Sequence, residues 1–325
     1  MADPTTNWTL DALHTHLQDA IDLELWTLPL YICAWTSLKN PTGDPQSNVG
    51  NISRSVIIQE MLHLELASNL ALAFGLTPQF SQPIYTPQDG IPFHTPEEPL
   101  NGPYEVRLGP LDENAINLFL EIELPKDLSA DKGHGTLDPA ATYDSIGEFY
   151  QALRAGVTQL WDTCYQPDSV NLQKTDFSDY PGVPASINSL QAAMQAIDTI
   201  VDQGEGADSK GGDVPTEYRP NDDPVGDLDD DYSHYERFLM VKSFLPQIET
   251  YTDNGSPATE QQAALNQAFT KLLQDLATSF TTTNPPNAPE PGIVGDSYTQ
   301  MFAIPNLAIA VWQAGACPEF RVLSS

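Results

Sequence analysis

Glu60 and His63 stand three residues apart in a stretch where Ile52, Val56, Glu60, His63, Ala67, Leu70 and Phe74 follow one another at spacings of three and four. That is the inward stripe of an amphipathic helix, so a carboxylate and an imidazole occupy places where apolar side chains belong. A charge held there is costly unless it is paired or bound to a metal, and Glu-x-x-His on one helical face can put two ligands on one ion. Asp231 and His234 repeat the pattern ahead of Phe238, Val241 and Leu245. Glu24 interrupts the run Leu10, Leu13, Leu17, Ile21, Leu28 and Tyr31, and Glu148 begins a line of small residues with Ala152 and Ala155. Collected, this is the ligand set of a dinuclear carboxylate site in a four-helix bundle, one acid from each of two helices and an acid-x-x-His from each of the other two. Four carboxylates offset most of the charge of two divalent ions, and oxygen with imidazole ligands suits iron or manganese. The expected metal ligands are Glu24, Glu60, His63, Glu148, Asp231 and His234, with Glu60, His63 and Glu148 catalytic. Each acid also has a plainer role open to it. Glu24 can reach solvent from the stripe's edge, Glu148 can complete a capping box with Ser145, and Asp229 to Asp231 can start a helix favourably for its dipole.

Four long helices must carry this set. Thr9 is the N-cap of the first, which holds Pro29 one turn beyond Glu24. The second covers about 52–74 and closes at Gly75 with Pro78 beyond. The pair is expected antiparallel, with Glu24 and Glu60 at one depth. Eight prolines from Pro78 to Pro110 exclude helix and weaken sheet pairing, so a crossover is expected over 77–140. It contains a short helix from Asp112 to Leu124, at whose end Glu121 and Glu123 either support the ligands from behind or, as the favoured reading, are exposed. The third helix starts near Ser145 and ends about Cys164, another covers 186–202, and the fourth resumes near Leu228. Between them, 203–230 is rich in Gly and Asp without the spacing of a calcium loop, which suggests a mobile surface loop or lid. The chain is therefore expected to be all-α. Residues 9–250 form the bundle, with insertions at 77–140 and 203–230, and 256–325 form a helical appendix packed on it.

The formal net charge of −32 over 325 residues leaves no basic face for nucleic acid or an anionic membrane. The three cysteines, Cys33, Cys164 and Cys317, form no Cys-x-x-Cys pair and read as small hydrophobes in a reducing compartment. Met1 to Trp8 has no cationic start and no apolar core. The apolar run 302–312 is broken by Pro305 and Asn306 and is too short to span a bilayer. A soluble cytoplasmic protein is expected. His14, His16, His94 and His134 lack an acid at ligand spacing and read as surface residues.

Several segments together resemble a known family. They are Leu23-Glu24-Leu25 with Pro29 and Tyr31, Glu60-Met61-Leu62-His63 with Ala67, Asn69 and Gly75, Ile146 to Tyr150, Gln203-Gly204-Glu205-Gly206, and His234-Tyr235 with Arg237-Phe238. From about Leu13 to Phe244 the chain is similar to the ferritin-like domain of the iminophenylpyruvate dimer synthase group. The resemblance implies a ferritin-like bundle and a metal-dependent oxidative role in specialised metabolism. Asp231 stands where ferritin-like sites usually carry Glu, and the chain is shorter than the large imine-coupling enzymes of that group. The expected activity is a non-haem diiron oxidase or oxygenase. Its partners would be a small-molecule substrate and dioxygen, and a homodimer is allowed. Two other functions compete with it: iron handling, which requires a cage-forming assembly, and a bundle that kept its shape without metals as a structural or interaction protein.

Overall fold

The computed structural model describes residues 7–40, 46–86, 90–92, 99–125, 143, 145–178, 180, 182–204, 232–283 and 297–323. Helix α1 (Leu10–Thr36) starts where Thr9 Oγ1 accepts the amide of Ala12, and it continues through Pro29. Helix α2 (Gln46–Ala73) packs along it and begins ahead of the expected Ile52. Gly75, at φ 78°, then lets the chain turn out of the helix.

The crossover retraces α1 in that helix's own direction, pinned at three levels. Gln18 exchanges hydrogen bonds with the backbone of Gln79. The Trp26 indole donates to Ile84 O at 2.9 Å while Tyr85 OH donates to Trp26 O at 2.6 Å. The amide of Leu111 then donates to Ser37 Oγ at 2.9 Å, beyond the end of α1. Side chains and carbonyls of α1 and its C-cap thus hydrogen-bond the crossover and hold it in place.

Helix α3 (Glu113–Ile122) begins at Asp112, whose carboxylate accepts the amide of Ala115 at 2.9 Å. Helix α4 (Ile146–Cys164) begins at Ser145, α5 is Leu190–Gly204 and α6 is His234–Phe244. Ile122 and Glu123 at the end of α3, Ile146 and Gly147 at the start of α4, and Gly204 at the end of α5 all line one cavity. His234, the first residue of α6, reaches the same place. α3 packs on α6, α4 on α5, and α2 on both α5 and α6. So α3 with α4, and α5 with α6, act as the halves of a third and a fourth bundle helix, each interrupted at the level of the cavity. Helices α7 (Thr259–Ser279) and α8 (Ser297–Gln313) pack on each other, and α8 packs on α1.

The all-α class is borne out, with no strand among the described residues. Leu228, near which the fourth helix is expected to resume, lies outside the described residues. Ser233 and Glu236 form a reciprocal capping box, which starts α6 at His234. Glu121 and Glu123 are buried, at 2 % and 6 % exposure, because the end of α3 turns into the bundle. His16 is buried as well, with Nε2 2.8 Å from Tyr143 OH. His94, His134 and the acidic stretch 205–231 lie outside the described residues. About midway along α4, Trp8 packs against Gly156, where a Cβ would stand 2.6 Å from the indole. No helix among the described residues is long and apolar enough to cross a membrane.

Candidate metal centre

Glu24 lies midway along α1 and Glu60 midway along α2, and both point between the helices with their side chains buried. One turn on from Glu60, His63 places Nδ1 3.5 Å from Glu24 Oε2 and 3.9 Å from Glu60 Oε1. From α6, His234 places Nδ1 2.8 Å from the same Glu60 Oε1 and 3.6 Å from Glu123 Oε1. The imidazoles stack with centroids 5.3 Å apart. The result is a paired arrangement in which Glu24 accompanies His63, Glu123 accompanies His234, and Glu60 Oε1 lies between the two rings.

The surrounding contacts repeat the pairing. Tyr150 OH donates to Glu24 Oε1, and Tyr31 OH donates to Glu123 Oε1 at 2.5 Å. Thr27 Oγ1 donates to Glu60 Oε2 at 2.6 Å, so Glu60's other oxygen is the one turned toward the rings. His63 Nε2 sits 2.9 Å from Gln203 Oε1 and His234 Nε2 sits 3.0 Å from Gln59 Oε1. At Gly204 the backbone approaches closely, since a Cβ would stand 3.3 Å from Glu123 Oε2 and that carboxylate would have to shift by a few tenths of an ångström.

The tautomer of His234 follows from a residue farther out. Arg237 donates to the same Gln59 Oε1. A guanidinium only donates, so the Gln59 atom it touches is the oxygen. His234 Nε2, facing that oxygen, must carry the proton, and Nδ1 keeps a lone pair. That lone pair faces the Glu60 carboxylate at 2.8 Å, yet Nδ1 has no hydrogen-bond partner among the described residues, so the contact lacks hydrogen-bond alignment. A buried lone pair this close to a carboxyl oxygen calls for a proton or a cation between the two. Ligating histidines typically anchor their other nitrogen in this way. Ligand atoms of Glu60, His63 and His234 lie within 4.8 Å of one another, close enough to hold an ion together.

Electrostatics point the same way. Burial pushes the Glu60 carboxyl well above the usual carboxylate range, and the charges of Glu123 and Glu24 push it further, against His63 and Thr27. Burial also raises the Tyr31 and Tyr150 phenols, aided by the carboxylates they bond. These are the consequences of collecting acids in an apolar interior. Leu23, Ile122, Ile146, Ile200 and Val201 wall the cavity, whose free volume of about 20 Å³ takes one water-sized occupant.

Four of the six expected ligands, Glu24, Glu60, His63 and His234, come together here. Asp231 lies outside the described residues. Glu148 is buried at the first turn of α4, its amide bonded to Ser145 Oγ at 3.2 Å. It is Ile146, Gly147 and Tyr150 of α4 that line the cavity, and Glu148 lies about 100° round the helix from Gly147. Glu123 stands at the cavity instead. The periodicity of α3 could not reveal this, because Glu123 is that helix's C-cap. Gln59 and Gln203 carry one signal in the sequence, a polar residue beside a ligand position or at a helix end, and that signal is too common to single them out.

A family model described as ferritin-like matches residues 17–243. A crystal structure of a ferritin-like protein from Caulobacter vibrioides superposes with a TM-score of 0.77 at 30 % identity, covering 97 % of this chain and 99 % of that one. The chain belongs to the ferritin-like family. It is also distantly similar to dichlorochromopyrrolate synthase from Lentzea aerocolonigenes, 24 % identical over 62 % of this chain. The match spans 19 % of that protein's length. These matches bear out the resemblance read from the sequence.

Proposed function

We propose that this protein is a non-haem dinuclear metal oxidase or oxygenase acting on a small organic substrate, with iron as the metal and manganese as the alternative. The observation that supports it most is the position of Glu60 Oε1 between two imidazole Nδ1 atoms, each accompanied by a further carboxylate. In this proposal His63 and Glu24 would help hold one ion and His234 and Glu123 the other, with Glu60 within reach of both rings. Asp231 and Glu148 are retained as residues to be compared in the test. The bound metals would supply electrons to dioxygen. The chain's own side chains have other tasks. Thr27, Tyr31 and Tyr150 fix carboxylate oxygens so that their partners face inward, and the aliphatic walls keep bulk water from a reactive site. Tyr150 lines the cavity and its hydroxyl hydrogen-bonds to Glu24, which holds that carboxylate in place. The substrate class favoured by the resemblance and by the distant synthase is an amino-acid-derived imine or related metabolite of specialised metabolism. A cytoplasmic setting belongs to the same proposal.

The test is anaerobic loading with ferrous ion, followed by metal analysis and admission of oxygen. About two ions per chain and an oxygen-dependent absorption change are expected. H63A and E123A should lose both, and E148A and D231A decide whether those acids belong to the set. A chain that binds no more iron than H63A is a metal-free bundle. A solution mass far above a few chains would instead favour iron storage.

A further inference from the structure

Cys33 and Cys317 are 284 positions apart, yet their sulfurs lie 3.8 Å from each other. Cys33 is fully buried on α1, between the Tyr31 level and the helix end, while Cys317 is partly exposed. Gly315, at φ 89°, turns the chain after α8 back toward α1. The following segment is then held in place from several sides. The amide of Glu319 donates to Gln262 Oε1 at 3.0 Å, that of Arg321 donates to Asn266 Oδ1 at 3.1 Å, and Phe320 is buried. The Trp312 indole donates to Cys33 O at 3.0 Å, which fixes α8 against this turn of α1. Both thiols also approach one acceptor, Pro318 O, at 3.9 and 3.8 Å. A buried thiol that merely fills space packs among apolar groups. Here two lie side by side with their sulfurs 3.8 Å apart, and Cys317 stands outside any helix, on the segment that would move to close them to the bond length of about 2.05 Å.

We propose that Cys33 and Cys317 are a site of reversible disulfide formation, with a peroxide as the oxidant class. Solvent reaches Cys317, so its sulfur attacks hydrogen peroxide first. An S–O bond forms, the O–O bond breaks and one water leaves, which gives a sulfenic acid. The Cys33 thiol then displaces that oxygen as a second water, with its proton, and the S–S bond closes. Two thiols are oxidised by two electrons and one peroxide is reduced to two waters. The product ties α1, which carries Glu24, to the segment after α8. This inference does not depend on the metal proposal.

The test treats the intact protein with hydrogen peroxide, alkylates it under denaturing conditions and weighs it. Of the three cysteines, one alkylated thiol is expected, with a linked peptide joining positions 33 and 317 and full return of three thiols after dithiothreitol. C164S should give the same link, and C33S should convert Cys317 to a sulfinic acid instead. Three alkylated thiols after treatment, a bond to Cys164, a bond between chains, or sulfinic acid at Cys317 in the unaltered protein would each overturn it. The measurement on the unaltered chain suffices even where a variant does not fold.

Discussion

At Glu60, burial and the charges of Glu123 and Glu24 keep the carboxyl protonated far above its ordinary range. An ion must displace that proton, so metal affinity rises with pH until the carboxyl ionises unaided. Glu60→Gln keeps the shape and cannot ionise, so its folding carries no proton uptake at that position. With chelator present at pH 8, E60Q should be more stable than the unaltered chain by about 1–3 kcal/mol, while its metal affinity falls at least about 100-fold. Urea denaturation and metal titration read the two effects, and an E60Q that kept its affinity would sink the assignment. Glu65 is another buried acid of α2. It accepts the amide of Asp176 at 3.1 Å, and burial with the Asp176 charge raises its pKa from 4.5 to about 8. Between those values the folded chain holds a proton that the unfolded chain has released. Stability from this group is therefore full below pH 4.5 and declines as the pH climbs to about 8, by at most about 1.4 kcal/mol per unit. Glu65→Gln should flatten that decline in denaturation midpoints measured from pH 5 to 8. An unchanged slope would mean that Glu65 is ionised throughout.

Among the elements, α2 and α6 are joined at the site by more than packing. Arg237 of α6 orients Gln59 of α2, and Gln59 sets the tautomer of His234 back on α6. Arg237→Met keeps the bulk and removes the donor, which frees the amide to turn. Metal affinity should then drop about 10- to 100-fold, and the ¹⁵N shifts of His234 should show both tautomers. A single unchanged tautomer would show that Arg237 does not govern it. How much of this is legible in the sequence depends on helix continuity. Glu24, Glu60 and His63 sit on unbroken helices, so apolar spacing alone marks them as inward. Glu123 is hidden because α3 stops at it and α4 continues the bundle from Ile146. No periodicity runs across such a break. For the same reason the sequence offers Glu148, on the longer stripe, as the third carboxylate. The spacing of His234 to Phe238 and Val241 marks it as inward, although the helix that carries it starts later than that spacing suggests, at its own capping box.

For the whole molecule, the centre is a cluster of like charges placed where α1, α2 and the broken third and fourth helices meet. Any ion that binds only the folded chain stabilises it in proportion to the logarithm of its excess over Kd. Chelation should therefore lower Tm by several degrees, and restoring metal should recover it. An unchanged Tm after verified removal would count against the site. The formal charge of −32 adds a diffuse repulsion, which salt screens over about 10 Å. The two effects separate because monovalent salt relieves only the second.

The seat of Trp8 against Gly156 reaches beyond a single protein molecule. Since any side chain at position 156 would collide with the indole ring, that position is not free to change first through descent. A lineage that replaces Gly156 with even the smallest side chain must already have a smaller ring or none at position 8, and one that keeps the tryptophan inherits the glycine with it.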